Sequence, residues 1–547
     1  MKIARLTVPV ALILAIATLP CASAKEPIYE GLGTYSRKVT TASPEAQRYF
    51  DQGLRLLFGY NHGASIRSFS EAARIDPGCA MAHWGVALAY GPHINLPVVS
   101  PAAAEKAWGE LLLAEKNADK ASPVERALIS ALAKRYASPQ PDDRSPLDLA
   151  YANAMREVWK AYPGDPDVGA FFAESMMDLR PWDQWTPEGK PQPGTEEILT
   201  TLEAVLRLDL QHPFANHLYI HAVEASPHPE LAAAASDRLL NLQPGLAHNV
   251  HMPSHIYIRT GRWPEAIASN LRAVDADRRF RAVAGPAKGF LPVYIAHNEH
   301  MLAYAAMMTG QGALALEHVR AITASFTEEF TKEYGSLTEG YYAMPFEVLI
   351  RFGRWDEVLA EPDLPASMPF SRALRRAARG IALAAKGDTV GARAEQSAFE
   401  EASKAVPKDE SFGNNAAPDV LGVAASMLDG EILYREGKVE AALARLRQAV
   451  AAEDSLHYDE PPSWLLPVRH SLGATLVREG RFAEAEKVYR EDLARLPGNG
   501  WSLYGLAESL RHLRRPEEAE AAQARFQTAW ANADTPIRSS CLCQPGI

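Results

Sequence analysis

The sequence predicts an all-α protein built from repeated helical hairpins that stack into a solenoid. First, an apolar helix, a Gly-containing turn, a second helix rich in small residues and then Pro recur along the chain. Second, His217 and His221 are repeated 34 residues later as His251 and His255. Third, 547 residues exceed what one compact core normally holds, so a stacked array or several domains are expected.

The first 24 residues have the pattern of a cleaved secretion signal. Lys2 and Arg5 precede an apolar stretch over residues 6–19, and Ala22-Ser23-Ala24 is a small-residue cleavage motif. We therefore predict a signal peptide over residues 1–24, a mature chain that begins at Lys25, and a periplasmic or secreted location. Residues 25–44 are predicted to form an N-terminal extension.

The repeat pattern is clear between Tyr49 and Pro77, and further copies include GRWPEA from Gly261, TGQGALA from Thr309 and REGRFAEAEKVY from Arg478. At these residues the chain resembles the tetratricopeptide repeat family, whose unit is a pair of antiparallel helices of about 34 residues. The resemblance covers most of residues 45–530 and implies a right-handed superhelix with one concave groove. We divide it into N-terminal repeats (45–179), central His-rich repeats (196–320) and C-terminal repeats (321–530).

Three stretches interrupt the pattern and are predicted to be long loops. The first is the Pro- and Trp-rich segment 180–195, the second covers residues 277–291, and the third is YDEPPSWLLP at 458–467. Long loops in such an array serve as lids and binding loops or as packed structural insertions, and the sequence favours neither.

Charge and missing motifs exclude several classes of function. The formal net charge of −11 argues against nucleic acid as a partner. After residue 24 no apolar run approaches the ~20 residues of a membrane helix. The sequence contains no H-E-x-x-H, no G-x-S-x-G and no Gly-rich phosphate loop, so standard hydrolase and nucleotide chemistry are unsupported.

Seven histidines carry the functional argument. With the register fixed on Gly and Ala positions, the resemblance places all of them at repeat positions 2, 5 and 9, which face the concave groove. Sixteen histidines spread over 547 residues would rarely cluster this way by chance. The set consists of His217, His221, His248, His251, His255, His297 and His300.

The spacing suits a transition metal. Residues four apart on a helix have Cβ atoms about 6 Å apart, so two pairs can each offer two imidazoles, and stacking helices about 10 Å apart brings the pairs together. Imidazole suits copper, zinc and iron, and the set contains no Cys. Glu224 is the candidate carboxylate ligand or base, and Met307 and Met308 would favour copper. Pro253 is expected to spoil or to aim the geometry of His251 and His255.

Other polar residues have two interpretations each. Arg259, Tyr304, Glu347 and Arg351 at groove positions would orient a substrate carboxylate or phosphate, or would line a solvated groove. His470 joins the site only if the superhelix closes round, whereas His62, His83 and His93 are interpreted as packing and loop residues. Cys541 and Cys543, in the tail 531–547, would bind metal, pair with another chain or, as we favour, lie in a frayed tail.

Two hypotheses of function follow from the sequence. The first is a periplasmic or secreted metalloprotein, a metal-dependent oxidoreductase acting on a small molecule, with copper favoured over zinc or iron. The second is a metal-free scaffold that binds an extended peptide in the groove, with the histidines as polar contacts. Histidine placement favours the first, and the family resemblance favours the second.

Overall fold

A computed structural model describes residues 25–544, so the predicted signal peptide lies outside the described residues. The predicted fold class is confirmed: the chain is an all-α solenoid of tetratricopeptide-type helical hairpins. The described sheet consists of one two-stranded hairpin, β1 (Ser411–Phe412) and β2 (Asn415–Ala416), paired antiparallel with Ser411 opposite Ala416. None of the helices within residues 25–544 combines the length and the apolar character that a bilayer crossing requires.

The N-terminal repeats begin where side chains cap the first helical turns. Ser43 accepts a hydrogen bond from the Ala46 amide, and Ser122 forms a capping box with Glu125, so backbone N–H groups that lack a partner inside the helix are satisfied. The helices are α1 (Pro44–Phe58), α2 (His62–Ile75), α3 (Ala80–Ala89), α4 (Pro101–Asn117), α5 (Pro123–Leu132), α6 (Ser145–Ala161) and α7 (Pro166–Met177).

The central repeats carry the histidines. Their helices are α8 (Thr195–Leu208), α9 (Pro213–Glu224), α10 (Ala233–Leu242), α11 (Ala247–His251), α12 (Pro253–Arg259), α13 (Trp263–Ala284), α14 (Leu291–Met308) and α15 (Gly312–Ala321). The loop predicted over residues 277–291 is wrong in its first half, because α13 continues to Ala284. Gly285, at φ +85°, ends this helix.

The C-terminal repeats complete the array. Their helices are α16 (Glu328–Thr338), α17 (Met344–Arg351), α18 (Trp355–Ala360), α19 (Pro369–Ala385), α20 (Thr389–Lys404), α21 (Ala417–Arg435), α22 (Val439–Asp454), α23 (Val468–Arg478), α24 (Phe482–Arg495), α25 (Gly500–His512) and α26 (Pro516–Ala529). Short 3₁₀ turns lie at Ala118–Lys120, Pro229–Ala232, Ile322–Ser325 and Glu339–Ala343.

The solenoid closes on itself. The indole N–H of Trp263 donates to the Pro497 carbonyl at 2.8 Å, and that of Trp501 donates to the Met307 carbonyl at 2.9 Å. These bonds join the central repeats to the last repeats, more than 190 residues away. Closure brings residues 458–467 over the central repeats.

The N-terminal extension is a strap across the first and central repeats. Arg37 forms ion pairs with Asp165 and Asp167 at 2.8 and 2.7 Å. Gly33 has φ +74°, and a Cβ there would lie 2.2 Å from the Leu242 carbonyl oxygen, so only glycine fits this close approach.

The C-terminal tail is docked rather than frayed, which corrects the expectation for Cys541 and Cys543. These cysteines form a disulfide with each other and are buried. The tail is held by buried polar groups: Arg351 donates to the Ser540 main-chain carbonyl at 2.8 Å, and the side-chain amide of Gln544 donates to Glu431 at 3.1 Å. Hydrogen bonds to buried charged groups are strong enough to order such a segment.

Candidate metal centre

Helices α9, α11, α12 and α14 bring six of the seven histidines together. Helix α9 carries His217 and His221, α11 and α12 carry the next three, and α14 carries His297. Helices α12 and α14 contribute to both large apolar cores, so their positions are fixed by packing on two sides.

Pro253 separates α11 from α12, but the histidines on either side of it still point toward each other. Met252 keeps a helical conformation at φ −45° and ψ −40°, so the chain direction is preserved across the break. The Nε2 atoms of His251 and His255 lie 2.8 Å apart. The proline therefore leaves the i, i+4 pair intact and brings its ring nitrogens close together.

The histidines form two adjacent groups of three. In each group one nitrogen from every ring lies within 4.8 Å of the others. We call them the first triad (His217, His221, His248) and the second triad (His251, His255, His297). The rings of His221 and His255, one from each triad, have centroids 5.6 Å apart.

The Nδ1 atoms of four of the six rings, those of His217, His221, His251 and His255, have hydrogen-bond acceptors as partners. Nδ1 of His217 lies 2.9 Å from the Phe58 carbonyl oxygen. Nδ1 of His251 lies 2.6 Å from Oδ1 of Asn270, whose amide N–H is used by the Ala266 carbonyl. A proton on Nδ1 satisfies each acceptor and leaves Nε2 with a free lone pair.

Glu224 serves both triads. Its carboxylate accepts from Nδ1 of His221 at 2.7 Å and from Nδ1 of His255 at 2.6 Å. Burial alone would raise the pKa of Glu224, but the adjacent His255 and His221 lower it to about 2. The carboxylate stays ionised and holds both rings with Nε2 toward the triads.

The triads lie in a buried environment in which four of the six rings are neutral. Burial lowers the pKa of His217, His248, His251 and His297 well below the usual range of histidine, so these rings are neutral at neutral pH. Within residues 25–544, Nε2 of His217, Nε2 of His221 and both nitrogens of His248 are buried without a hydrogen-bond partner. Neutral imidazoles with unused lone pairs are metal-ligand donors.

Six of the seven histidines are buried and His297 is partly buried, which differs from the open groove that the repeat register implies. Trp182, from the loop before α8, has its ring edge against His221 at a centroid distance of 4.9 Å. Tyr458, from the loop before α23, lies with its hydroxyl 3.3 Å from Glu224. Both loops therefore cover the site and exclude bulk water.

The other residues predicted for the groove lie in different places. His300 packs beside Tyr341 at 5.4 Å, outside both triads. Glu347 accepts from the Leu465 amide at 2.7 Å, and Arg351 contacts His470 at 2.6 Å. Although the superhelix closes, His470 faces Asp492 at 3.0 Å and does not join the triads.

The early histidines and the methionines lie outside the triads as well. His62 and His93 stack on each other at 4.2 Å, and His83 contacts Glu110 at 2.6 Å. Met307 and Met308 are buried in the apolar core that also holds Trp501.

Sequence reasoning missed Tyr60, which packs on the first triad. Its ring centroid lies 4.6 Å from that of His217 and 5.4 Å from that of His248. Tyr60 has φ +54°, a strained conformation for a non-glycine residue, and such strain often accompanies a site. A turn after a helix gave no indication of it, because the contact spans more than 150 residues.

A cavity of about 370 Å³ adjoins the site. Both covering loops line it, through Trp182 and Tyr458, together with Arg259 and Tyr304 from the central repeats. Arg259 donates to the main-chain carbonyl of Glu224 at 2.6 Å, so this cavity borders the residue that orients both triads.

No protein-family model matches the sequence, and a search of curated proteins finds no match. Solved structures do match. Human IFIT1, as a dimer with PPP-AAAA, is 12% identical, with 90% of this chain and 92% of that chain covered and a TM-score of 0.32. Yeast Tom70 is 11% identical, with 89% and 91% covered and a TM-score of 0.29. The APC/C hetero-tetramer Cut9–Hcn1 is 12% identical, with 89% and 74% covered and a TM-score of 0.29. Similarity at this level carries no information about what this chain binds.

Proposed function

We propose that this protein binds two transition-metal ions, one in each histidine triad, and is a metal-dependent oxidoreductase of the periplasm or the extracellular space. The proposed location rests on the signal-like pattern of residues 1–24. The residues that would hold the ions are those of the first and second triads, and the group that orients them is Glu224.

One observation carries the proposal. Nε2 of His251 and Nε2 of His255 lie 2.8 Å apart, while the Nδ1 atoms of the same rings face Asn270 and Glu224. With the Nδ1 protons used on those acceptors, two nitrogen lone pairs face each other inside the protein. A metal ion bound beside both nitrogens would remove this repulsion by accepting both lone pairs.

Met307 and Met308, which would favour copper, lie outside the triads, so the donor set suits copper, zinc and iron alike. Every ring in the triads offers imidazole nitrogen, which suits these metals, whereas Ca²⁺ and Mg²⁺ prefer oxygen. Three protein ligands leave a coordination position open for a further ligand, as in catalytic rather than structural sites. Copper or iron held this way supplies one-electron redox chemistry.

The remaining chemistry belongs to the chain itself. Glu224 fixes the orientation of His221 and His255, Asn270 fixes that of His251, and Trp182 and Tyr458 exclude water. Ordered outer contacts of this kind raise ligand basicity and metal affinity.

Binding of an extended peptide is the second candidate, and the docked tail favours it. The main-chain carbonyl of Ser540 accepts a hydrogen bond from Arg351, and the Ser540 hydroxyl lies 2.6 Å from the Tyr489 hydroxyl. The C-terminal repeats thus already hold a peptide segment through main-chain and side-chain contacts, and a partner peptide would have to displace it.

Metal analysis of the full-length protein separates the two candidates. We expect two ions of copper, zinc or iron per chain and a higher unfolding temperature with metal than without it. His217→Gln and His251→Gln should each remove one ion, while His228→Ala, at an exposed histidine, should remove none. A metal-free protein that none of the three metals stabilises would overturn the metal proposal, and zinc alone in both sites would overturn the oxidoreductase.

A further inference from the structure

The cavity beside Glu224 has the size and the walls of a small-molecule site. Its volume of about 370 Å³ lies within the ~300–1,000 Å³ range of such sites. Trp182 and Trp185 come from one covering loop and Tyr458 and Trp464 from the other, so aromatic rings line it from two sides.

Carboxyl groups in this cavity outnumber the cations available to them. Asp454 is paired with Arg469 at 2.7 Å, and Asp492 with His470 at 3.0 Å. Asp459 instead accepts from the Ser463 hydroxyl at 2.8 Å and from the Asn414 amide at 3.1 Å, which are neutral donors.

Glu453 is in the same situation. It accepts from the Val468 amide at 3.2 Å, and its contact with Arg469 is long, at 3.9 Å. The guanidinium of Arg259 is directed to the carbonyl oxygens of Glu224 and Ser226. Burial raises the pKa of Glu453 to about 8, against the weaker opposing effect of Arg469, and that of Asp459 to about 6.

Two buried donors that line the cavity also lack partners. The Tyr304 hydroxyl and the Trp464 indole N–H are buried and unpaired within the described part of the chain. Buried polar groups without partners are rare, and a bound ligand is one reason for them. An oxygen atom on the ligand would accept a hydrogen bond from these donors.

We propose that this cavity binds a small organic cation, a protonated amine with a flat apolar body and a hydroxyl or carbonyl oxygen. The ammonium group would lie toward Asp459 and Glu453, and the body between the tryptophan and tyrosine rings, which attract cations and apolar surface alike. The binding of such an amine in the cavity is independent of the proposed function. Its role as the substrate of the metal site rests on the proposed function.

Three probes of one size test the inference by calorimetry on the full-length protein at neutral pH. Tyramine carries the ammonium group, 4-ethylphenol lacks it, and 3-(4-hydroxyphenyl)propionate replaces it with a carboxylate. We expect tyramine to bind about tenfold or more tightly than 4-ethylphenol and the propionate not to bind. Equal binding of tyramine and 4-ethylphenol, tighter binding of the propionate, or binding of no probe would each overturn the proposal.

Matched variants locate the effect. Asp459→Asn should weaken tyramine binding about tenfold. Glu453→Gln should weaken it less, because the Glu453 carboxyl, with a pKa of about 8, is mostly protonated at neutral pH. Both variants should leave 4-ethylphenol binding unchanged, while Glu188→Gln, at an exposed position in the same loop as Trp182, should alter the binding of neither probe. Unchanged tyramine binding in both cavity variants would show that tyramine binds at another place on the protein. Metal analysis of the same samples keeps the proposals apart: tyramine binding to a protein that takes up no metal supports the cavity and refutes the metal centre.

Discussion

The Glu224 carboxylate accepts a hydrogen bond from Nδ1 of His255, 31 residues away, at 2.6 Å. Its other oxygen accepts from His221 at 2.7 Å, and His221 and His255 belong to different triads. One buried anion therefore orients one ring of each group, and both oxygens of that anion are used.

Replacing Glu224 by Gln is expected to weaken both metal sites together. The amide keeps one acceptor oxygen, so one of the two rings loses its acceptor and both lose the negative charge. Loss of such an outer partner typically costs 10–100-fold in metal affinity. Titration against a competing chelator measures the affinity of each site for its ion. The control is Glu230→Gln, which removes an exposed carboxylate paired with His228 at 3.1 Å. A loss of metal affinity at only one of the two sites would show that Glu224 does not link the triads.

Acid should destabilise the metal-free protein. Burial lowers the pKa of His62 to about 4 and that of His300 to about 3, whereas histidine in the unfolded chain titrates near 6.5. Between these values the unfolded state binds protons that the folded state does not. The free energy of unfolding therefore falls as pH drops below 6.5, by up to about 1.4 kcal/mol per pH unit for each group.

Thermal melts of wild type and His300→Gln between pH 7 and pH 4 test this expectation. The variant should lose stability less steeply with acid and should keep both metal ions, since His300 lies outside the triads. Parallel curves would contradict the assignment of His300 as a buried neutral ring.

Glu347→Gln should stabilise the protein at alkaline pH. Burial raises the pKa of Glu347 to about 8, from an ordinary value of 4.5, against the opposing hydrogen bond from Leu465. The folded state holds the proton while the unfolded state has lost it, so wild-type stability declines as pH rises from about 4.5 through 8. Gln keeps the acceptor and carries no such dependence. Denaturation midpoints at pH 5, 7 and 8.5 should diverge progressively, and a constant difference would count against a buried, protonated Glu347.

Deletion of residues 539–547 should loosen the C-terminal repeats. Without the tail, Arg351 loses its bond to the Ser540 carbonyl, and the surfaces of Trp355 and Ala474 that pack on the cysteines become exposed. A buried group left without its partner costs about 1–3 kcal/mol. Limited proteolysis should cut faster within the last repeats, and metal content should not change. Unaltered proteolysis would show that the tail contributes little to stability.

Much of the histidine arrangement was predictable because its first step is local. On any helix, positions four apart share a face, so the pairs His217 with His221 and His251 with His255 follow from spacing alone. The hairpin repeat then places neighbouring first helices side by side. The sequence could not say that His248 joins the first pair and His297 the second, or that His300 faces Tyr341, because this depends on ring rotamers and on how far each helix is rotated.

Contacts between residues far apart in the chain could not be predicted from the sequence. Tyr60 and Tyr458 reach the site from 157 or more residues away, Asn270 is one of many polar residues on its helix, and the docking of Cys541 and Cys543 depends on a surface made by several repeats.

By itself the sequence determined the helical hairpins, their register and the presence of paired histidines, since these rest on periodicities of a few residues. Only the tertiary structure decided that the array closes, that two loops bury the histidines in two groups of three, and that one carboxylate serves both. Closure is a sum of small rotations between successive repeats, and no local pattern encodes that sum.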